Sequence, residues 1–429
     1  MPPIGSSFGS RATVATLLAK LEDATVGNKD GLVGNEAKKT GDASGASLFD
    51  TNPLLFKLRG SLSVGWSKKD EEAKLASFLG AVERELGPIT TEKKPAWVSP
   101  ADWNAHVVDK AITLVRLGRA PADAVDGFVK ASGSVDGHAI AARDVFTQTW
   151  AASPGVKASG QTLVISPGFL ETGRNYTEQI QLLNAQGHEV VVMDHQWSGL
   201  SGDPARGEGA KGHIDRGFGI ARDVAAVVAH VASSGKSVTL VGTSMGAGAG
   251  ALGAILMNDA GRVKLGHPPG SGAAMPKGVN VVLQGPFFER TKSVVNEALA
   301  LSGKIPGVNQ LPLPATGMPI LSGDQATLRL IAQHASTEHL TGAAQAFHAS
   351  DEDLATMKKL LESGVRPQGN IEVVHSTKDT LAKYEATLQW MKLLGPKAHL
   401  ETIASTSHVY EENPQEMGLV LGALSRLGL

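Results

Sequence analysis

The sequence predicts an α/β fold: a mostly parallel sheet with helices on both faces, interrupted by an insertion and preceded by a helical extension. Three observations carry that expectation. From about residue 133, short β-branched runs alternate with helical stretches. One run, Val238 to Val241, passes directly into Gly242-Thr243-Ser244-Met245-Gly246 and then into a helix of small residues. Two later runs each end in a loop bearing an ionisable residue, Asp379 and His408.

The first 132 residues read as a separate helical region. Val14, Leu17, Leu18 and Leu21 share one helical face, and Leu75, Phe78, Leu79, Val82 and Leu86 repeat the pattern. Ser99-Pro100-Ala101-Asp102 starts another helix, with serine as cap and proline in the first turn. Trp103, Val107, Ala111 and Leu114 follow on one face of it. Between the first two helices, residues 27–47 are polar and glycine-rich, the composition of a linker. Asn28, Asp30 and Gly31 echo a calcium loop, but its first and twelfth positions would be Val26 and Ala37. Neither can ligate, so a solvated loop is the better reading. No chemistry is assigned to residues 1–132; regulation, chaperoning and docking all stay open.

Residues 133–429 form the second region. Asp144 to Trp150 is an early strand, Thr162 to Ile165 a buried one, and Glu189 to Met193 the next. The helix between the last two ends at Gly187. Ile220 to Val231 is helical and feeds the strand before Ser244; strands follow at Val279 to Leu283, Ile371 to Val374 and His399 to Ile403. The alternation stops between about residues 286 and 368, where the chain holds a proline-studded apolar run, Leu311 to Leu321, and a helical stretch through Met357 to Leu361. In a parallel sheet, chemistry gathers at the carboxyl ends of the strands, and Ser244 sits at one.

Composition narrows the function classes. Forty basic residues balance 42 acidic ones, a net charge of −2, so no global field recruits nucleic acid or an anionic membrane. The absence of cysteine excludes disulfides, cysteine nucleophiles and thiolate metal sites. The first twenty residues lack a basic stretch followed by an apolar core, and no run approaches the roughly 20 apolar residues of a membrane span. The expectation is a cytoplasmic protein without a signal peptide or integral membrane segment.

Gly242 and Gly246 around Ser244 fit a sharp strand-to-helix turn, because side chains two residues either side of the serine would clash. Gly5-Ser6-Ser7-Phe8-Gly9 has the same spacing with no strand before it, and is an accident of a chain with 50 glycines. A serine hydroxyl is a weak nucleophile, so a histidine must take its proton and an acid must orient that histidine. Taken singly, an aspartate after a strand is usually a turn former, and one of thirteen histidines can land anywhere. The order Ser244, Asp379, His408, each after a sheet strand, is that of an α/β-hydrolase triad. Two backbone N–H groups must then face the oxyanion: that of Met245, after the nucleophile, and that of Phe169, after Gly168 in the loop following an earlier strand.

The stretch from Leu163 to Ile214, followed by Leu240 to Gly246, resembles the monoacylglycerol lipase and lysophospholipase (serine aminopeptidase-like) branch of the α/β-hydrolase superfamily. Gly168 and Glu171 match its His-Gly-x-x-Glu loop, with Pro167 in place of the histidine. Asp194, His195, Gly199 and Ser201 match its Asp-His-Arg-Gly-x-Gly-x-Ser stretch, with Gln196 and Trp197 departing from it. Gly212-His213-Ile214 matches a third element, and Thr243 stands where the elbow usually has histidine. The resemblance covers about Asp144 to the C-terminus. It implies an α/β-hydrolase fold with a cap at residues 286–368, the triad Ser244, Asp379 and His408, and oxyanion donors Phe169 and Met245. It assigns His195 and His213 to buried structural roles. It also implies a lipophilic acyl ester as small-molecule substrate, with transient lipid-surface contact through the cap. The residues of Leu311 to Leu321 fit an acyl-pocket wall and simple cap packing equally well.

The reading is a serine hydrolase of carboxylic esters that works through an acyl-enzyme, with no metal and no cofactor. An amidase, peptidase or acyltransferase would use the same triad. A non-catalytic binding protein, with the helical extension as its interaction module, is the alternative from another class.

Overall fold

A computed structural model describes residues 68–98, 100–135, 138–169, 171–195, 199–202, 217–257, 276, 278–289, 340–379, 381–405, 408 and 414–429. The expected helix at 14–21, the linker at 27–47, the apolar run 311–321 and His213 lie outside the described residues. Of those described, 68–94 and 100–126 belong to one compact unit, and 95–98 with 127 onward to another.

In the first unit, helices Lys68–Leu86 and Pro100–Leu117 pack together. The second begins at the proline that sequence placed in its first turn. Its buried positions are Val108, Ala111, Leu114 and Val115, while Trp103 and Val107 are only half-buried. The predicted stripe is therefore turned by about one residue. Lys110 and His106 also face inward, where Nζ and Nε2 reach Asp126 Oδ2 at 2.9 and 3.1 Å. Burial pushes the Lys110 ammonium down in pKa, and the Asp126 carboxylate opposes that shift. Asp126 lies in a strand, Ala124–Val135, so the helical region does not run to residue 132 as the sequence suggested. Buried Val129 and Ala131 alternate with exposed Lys130, a period of two that is too short to outweigh the flanking glycines in sequence.

The second unit is built on an eight-stranded sheet. Its strands are β1 (Ala124–Val135), β2 (His138–Trp150), β3 (Gln161–Ser166), β4 (Glu189–Met193), β5 (Ser237–Thr243), β6 (Asn280–Gln284), β7 (Ile371–Ser376) and β8 (Ala398–Ile403). The spatial order is β1-β2-β4-β3-β5-β6-β7-β8. β2 runs antiparallel to β4, and each pair from β4 across to β8 is parallel. Parallel neighbours need crossovers; helices Thr177–Ala185, Gly219–Ser233 and Tyr384–Leu394 lie in those leading to β4, β5 and β8, and Leu340–Glu362 lies between β6 and β7.

The strands bury both faces, which is why their sequences read as continuous apolar runs. Val164, Val191, Leu240, Val281, Leu283 and Val373 join one core with Val224, Val227 and Val228 of helix Gly219–Ser233. Their sequence neighbours Leu163, Ile165, Val190, Val192, Val241, Val282 and Val374 point the other way and are buried outside that core. Helices Thr177–Ala185 and Pro414–Arg426 pack on the sheet and contribute Ile180, Leu183, Val420 and Ala423. Each such valine, leucine or isoleucine side chain contributes roughly 1.5–3 kcal/mol.

The path of the chain places the site. From β3 it moves outward to β4, then returns across β3 to form β5, so β3 and β5 are neighbours whose following loops diverge. Their carboxyl ends are in register, Ser166 opposite Gly242, and the crevice there is where ligands bind in open α/β sheets.

Candidate active site

Ser244 follows β5 with φ of 52°, in the left-handed region that non-glycine residues avoid. The turn that imposes this conformation depends on the two flanking glycines. A Cβ on Gly242 would lie 2.7 Å from Ala247 Cα and from Gly246 O. A Cβ on Gly246 would run into the backbone carbonyls of Pro167 and Ser166. Ser166 also ties β3 to the elbow directly, its Oγ–H donating to Gly246 O at 3.1 Å. Beyond the serine, Gly246–Leu252 is wound as a π-helix before Gly253–Leu256 resumes α-geometry, where the sequence suggested one ordinary helix. Small side chains permit that wide winding close against neighbouring elements, as a Cβ on Gly250 would sit 2.9 Å from Ser166 Oγ.

The structure brings Ser244, Asp379 and His408 together. His408 Nε2 lies 2.7 Å from Ser244 Oγ, and His408 Nδ1 lies 2.7 Å from Asp379 Oδ2. Since a carboxylate only accepts, Nδ1–H donates to Asp379 and Nε2 is left to accept the serine proton. Ser244 and His408 are 7 % and 5 % exposed, enough for reactants to reach them but dry enough to strengthen their electrostatics. The loops after β7 and β8 hold each other in place. Thr377 N–H donates to Ile403 O at 2.8 Å, and Lys378 N–H to Ser405 O at 3.1 Å. Asp379 is fixed further by Oδ1, which accepts the Leu381 and Ala382 N–H groups at 2.8 and 2.9 Å.

Burial alone would raise the Asp379 pKa, but the His408 and His375 imidazoles outweigh it and hold the carboxyl well below the usual range. The group is therefore an anion at any working pH. His375, buried on β7 with Nε2 3.4 Å from Asp379 Oδ2 and Nδ1 2.7 Å from Thr387 Oγ1, is a neighbour that sequence reasoning missed. Its one signal was its position four residues before Asp379, near the end of the strand that leads into the Asp379 loop.

The loop after β3 carries Phe169 and Glu171, whereas Met245 comes directly after the nucleophile at the end of β5 and His195 follows β4. Phe169 is half-buried and Met245 fully buried, the latter opening the helix after the elbow in αR geometry. Glu171 is buried; its Oε2 accepts Gly168 N–H at 2.6 Å and the Tyr176 hydroxyl. His195 is buried with Nε2 3.2 Å from both Ser166 Oγ and Pro167 O. A carbonyl only accepts, so Nε2 carries the proton. Burial pushes the His195 pKa down to about 3, and the ring stays neutral. Among the described residues no cluster of histidine, aspartate and glutamate has the makings of a metal site, and no helix is long and apolar enough to cross a membrane.

Residues 157–413, more than half of the chain, match the family model described as "Serine aminopeptidase, S33". No curated protein matches by sequence. Among solved structures, a soluble variant of monoglyceride lipase from Saccharomyces cerevisiae is similar at 13 % identity and a TM-score of 0.49, covering 70 % of this chain and 94 % of that one. An esterase from Exiguobacterium antarcticum is similar at 19 % identity and a TM-score of 0.48, covering 70 % and 99 %. A monoacylglycerol lipase from Paleococcus ferrophilus is similar at 16 % identity and a TM-score of 0.44, covering 66 % and 98 %.

Proposed function

From the premise that this chain belongs to the serine aminopeptidase family, with an α/β-hydrolase fold, we propose that it is a serine hydrolase that cleaves carboxylic esters through Ser244. The observation that carries the reading is the continuous hydrogen-bond chain from Ser244 through His408 to Asp379, built on three strand ends around a strained serine. Ser244 Oγ attacks the ester carbonyl as His408 Nε2 takes its proton, and Asp379 stabilises the imidazolium that results. The backbone N–H groups of Met245 and Phe169 receive the oxyanion. The imidazolium returns its proton to the leaving alcohol, and an acyl-enzyme remains. Water deprotonated by His408 then releases the acid and restores the hydroxyl.

Lipophilic acyl groups are the proposed substrates, supported by the motif resemblance around Gly168, Asp194 and Ser244 to the monoacylglycerol lipase and lysophospholipase branch. The family description favours a second reading, cleavage of aminoacyl amides on the same triad. A panel of p-nitrophenyl esters of rising chain length beside aminoacyl p-nitroanilides separates the two. Preference for anilides bearing a free amine would replace the ester reading.

The direct test is a fluorophosphonate followed by peptide mapping. One adduct on Ser244, absent in Ser244→Ala and slowed by several orders of magnitude in His408→Ala, is the expected result. No adduct on the full chain would overturn the reading.

A further inference from the structure

The loop after β3 is gripped at successive peptide groups. The Pro167–Gly168 peptide is held at both ends. Its carbonyl accepts the His195 Nε2–H at 3.2 Å, and its N–H donates to Glu171 Oε2 at 2.6 Å, with Tyr176 Oη a longer contact at 3.3 Å. The next peptide, Gly168–Phe169, has its carbonyl held by the backbone N–H of Glu171 at 3.2 Å. In a trans peptide the N–H points opposite to the C=O, and the described chain has no cis bond. Fixing the Gly168 carbonyl therefore fixes the side on which the Phe169 N–H lies. Gly168 itself packs against the nucleophile: a Cβ there would lie 3.1 Å from Ser244 Cβ and 2.7 Å from Glu171 Oε2.

Glu171, Tyr176 and His195 are all buried, so this polar cluster carries a desolvation cost that an apolar loop anchor would avoid. Burial raises the Glu171 carboxyl pKa, against the hydrogen bonds from Tyr176 and Gly168 and the nearby His408. We propose that Glu171 is a positioning residue for the oxyanion site. Its side chain holds the Gly168 N–H and its backbone N–H holds the Gly168 carbonyl, so the Phe169 N–H is set towards the oxyanion formed when Ser244 attacks. Tyr176 fixes the carboxyl, and neutral His195 secures the far end of the same loop. The inference rests on the Ser244 reading above.

The test uses the full chain with p-nitrophenyl butyrate, and with phenyl butyrate beside its thiono analogue. Sulfur is the poorer hydrogen-bond acceptor, so the oxygen-to-thiono rate ratio reports the quality of the oxyanion site. Glu171→Ala is expected to lower kcat about 10²-fold with KM within about three-fold, and to shrink that ratio in step. Glu171→Gln, whose amide oxygen still accepts the Gly168 N–H, is expected to recover about ten-fold of the loss. A role in folding alone would reduce the active fraction, titrated by fluorophosphonate, and leave the ratio unchanged in every variant; that result overturns the inference. If the alanine variant does not fold, Tyr176→Phe and Glu171→Gln carry the same ratio measurement, and an unchanged ratio in both overturns it equally. Wild-type protein that neither takes up phosphonate nor turns over ester refutes the Ser244 reading, and the inference falls with it. Active wild type with a ratio indifferent to Glu171 refutes the inference alone.

Discussion

Replacing Asp379 with asparagine tests the candidate site most sharply, because the structure dictates how the amide must sit. Oδ1 accepts two backbone N–H groups, from Leu381 and Ala382, at 2.8 and 2.9 Å. An NH₂ at that position would set donor against donor twice, at a cost of about 1–3 kcal/mol for each buried group left unsatisfied. The amide oxygen therefore takes the Oδ1 position, and its nitrogen faces His408 Nδ1, 2.7 Å away in the native protein. Nδ1 must then accept, the ring proton moves to Nε2, and the nitrogen 2.7 Å from Ser244 Oγ carries a hydrogen instead of a lone pair. The base is thus present but in the wrong tautomer. Loss of about 10⁴ in kcat is expected, close to 5.5 kcal/mol of transition-state stabilisation. The assay is steady-state turnover of p-nitrophenyl butyrate, with circular dichroism to establish that the variant is folded. A folded variant losing less than about ten-fold would refute the tautomer argument, and with it the assignment of Asp379 as the orienting acid.

Two further outcomes follow from the packing. In Gly246→Ala, the new methyl meets the Pro167 and Ser166 carbonyls, backbone atoms that cannot rotate aside. Overpacking of that kind is expected to lower stability by about 1–3 kcal/mol in urea unfolding, and kcat further through displacement of the β3 loop; wild-type values for both would contradict the close approach. Asp353, buried on helix Leu340–Glu362 with Oδ1 accepting the Phe218 N–H at 2.9 Å, has its pKa raised by burial to about 7. The unfolded carboxyl ionises near 3.9, so between about pH 4 and pH 7 the folded state binds the extra proton. Stability contributed by this group is therefore present below about pH 4 and falls as pH rises towards 7, by on the order of 1.4 kcal/mol per unit. Asp353→Asn keeps an acceptor for Phe218 and is expected to flatten that slope in urea titrations; an identical slope would exclude Asp353 as its source.

The sequence by itself determined what neighbouring residues decide. Strand and helix alternation after residue 133, the two elbow glycines and the loop positions of Asp379 and His408 are all set by periodicity and turn chemistry within a few residues. The tertiary structure decided what depends on pairing across the chain. His408 meets Ser244 over a sequence separation of 164 because β8 and β5 are ordered into one sheet, and no local signal encodes that order. The same reason hid β1: Ala124–Val135 carries the glycines 127 and 133 and gains its strand character from joining β2. It hid the contact of His375 with Asp379, in which a strand side chain meets one from the loop that follows the strand. Glu171 was legible only as a residue in a resembling pattern, while its grip on both polar groups of Gly168 is a property of the folded turn. Local composition chose the elements and the reactive residue types; the sheet order and burial brought them within hydrogen-bonding distance.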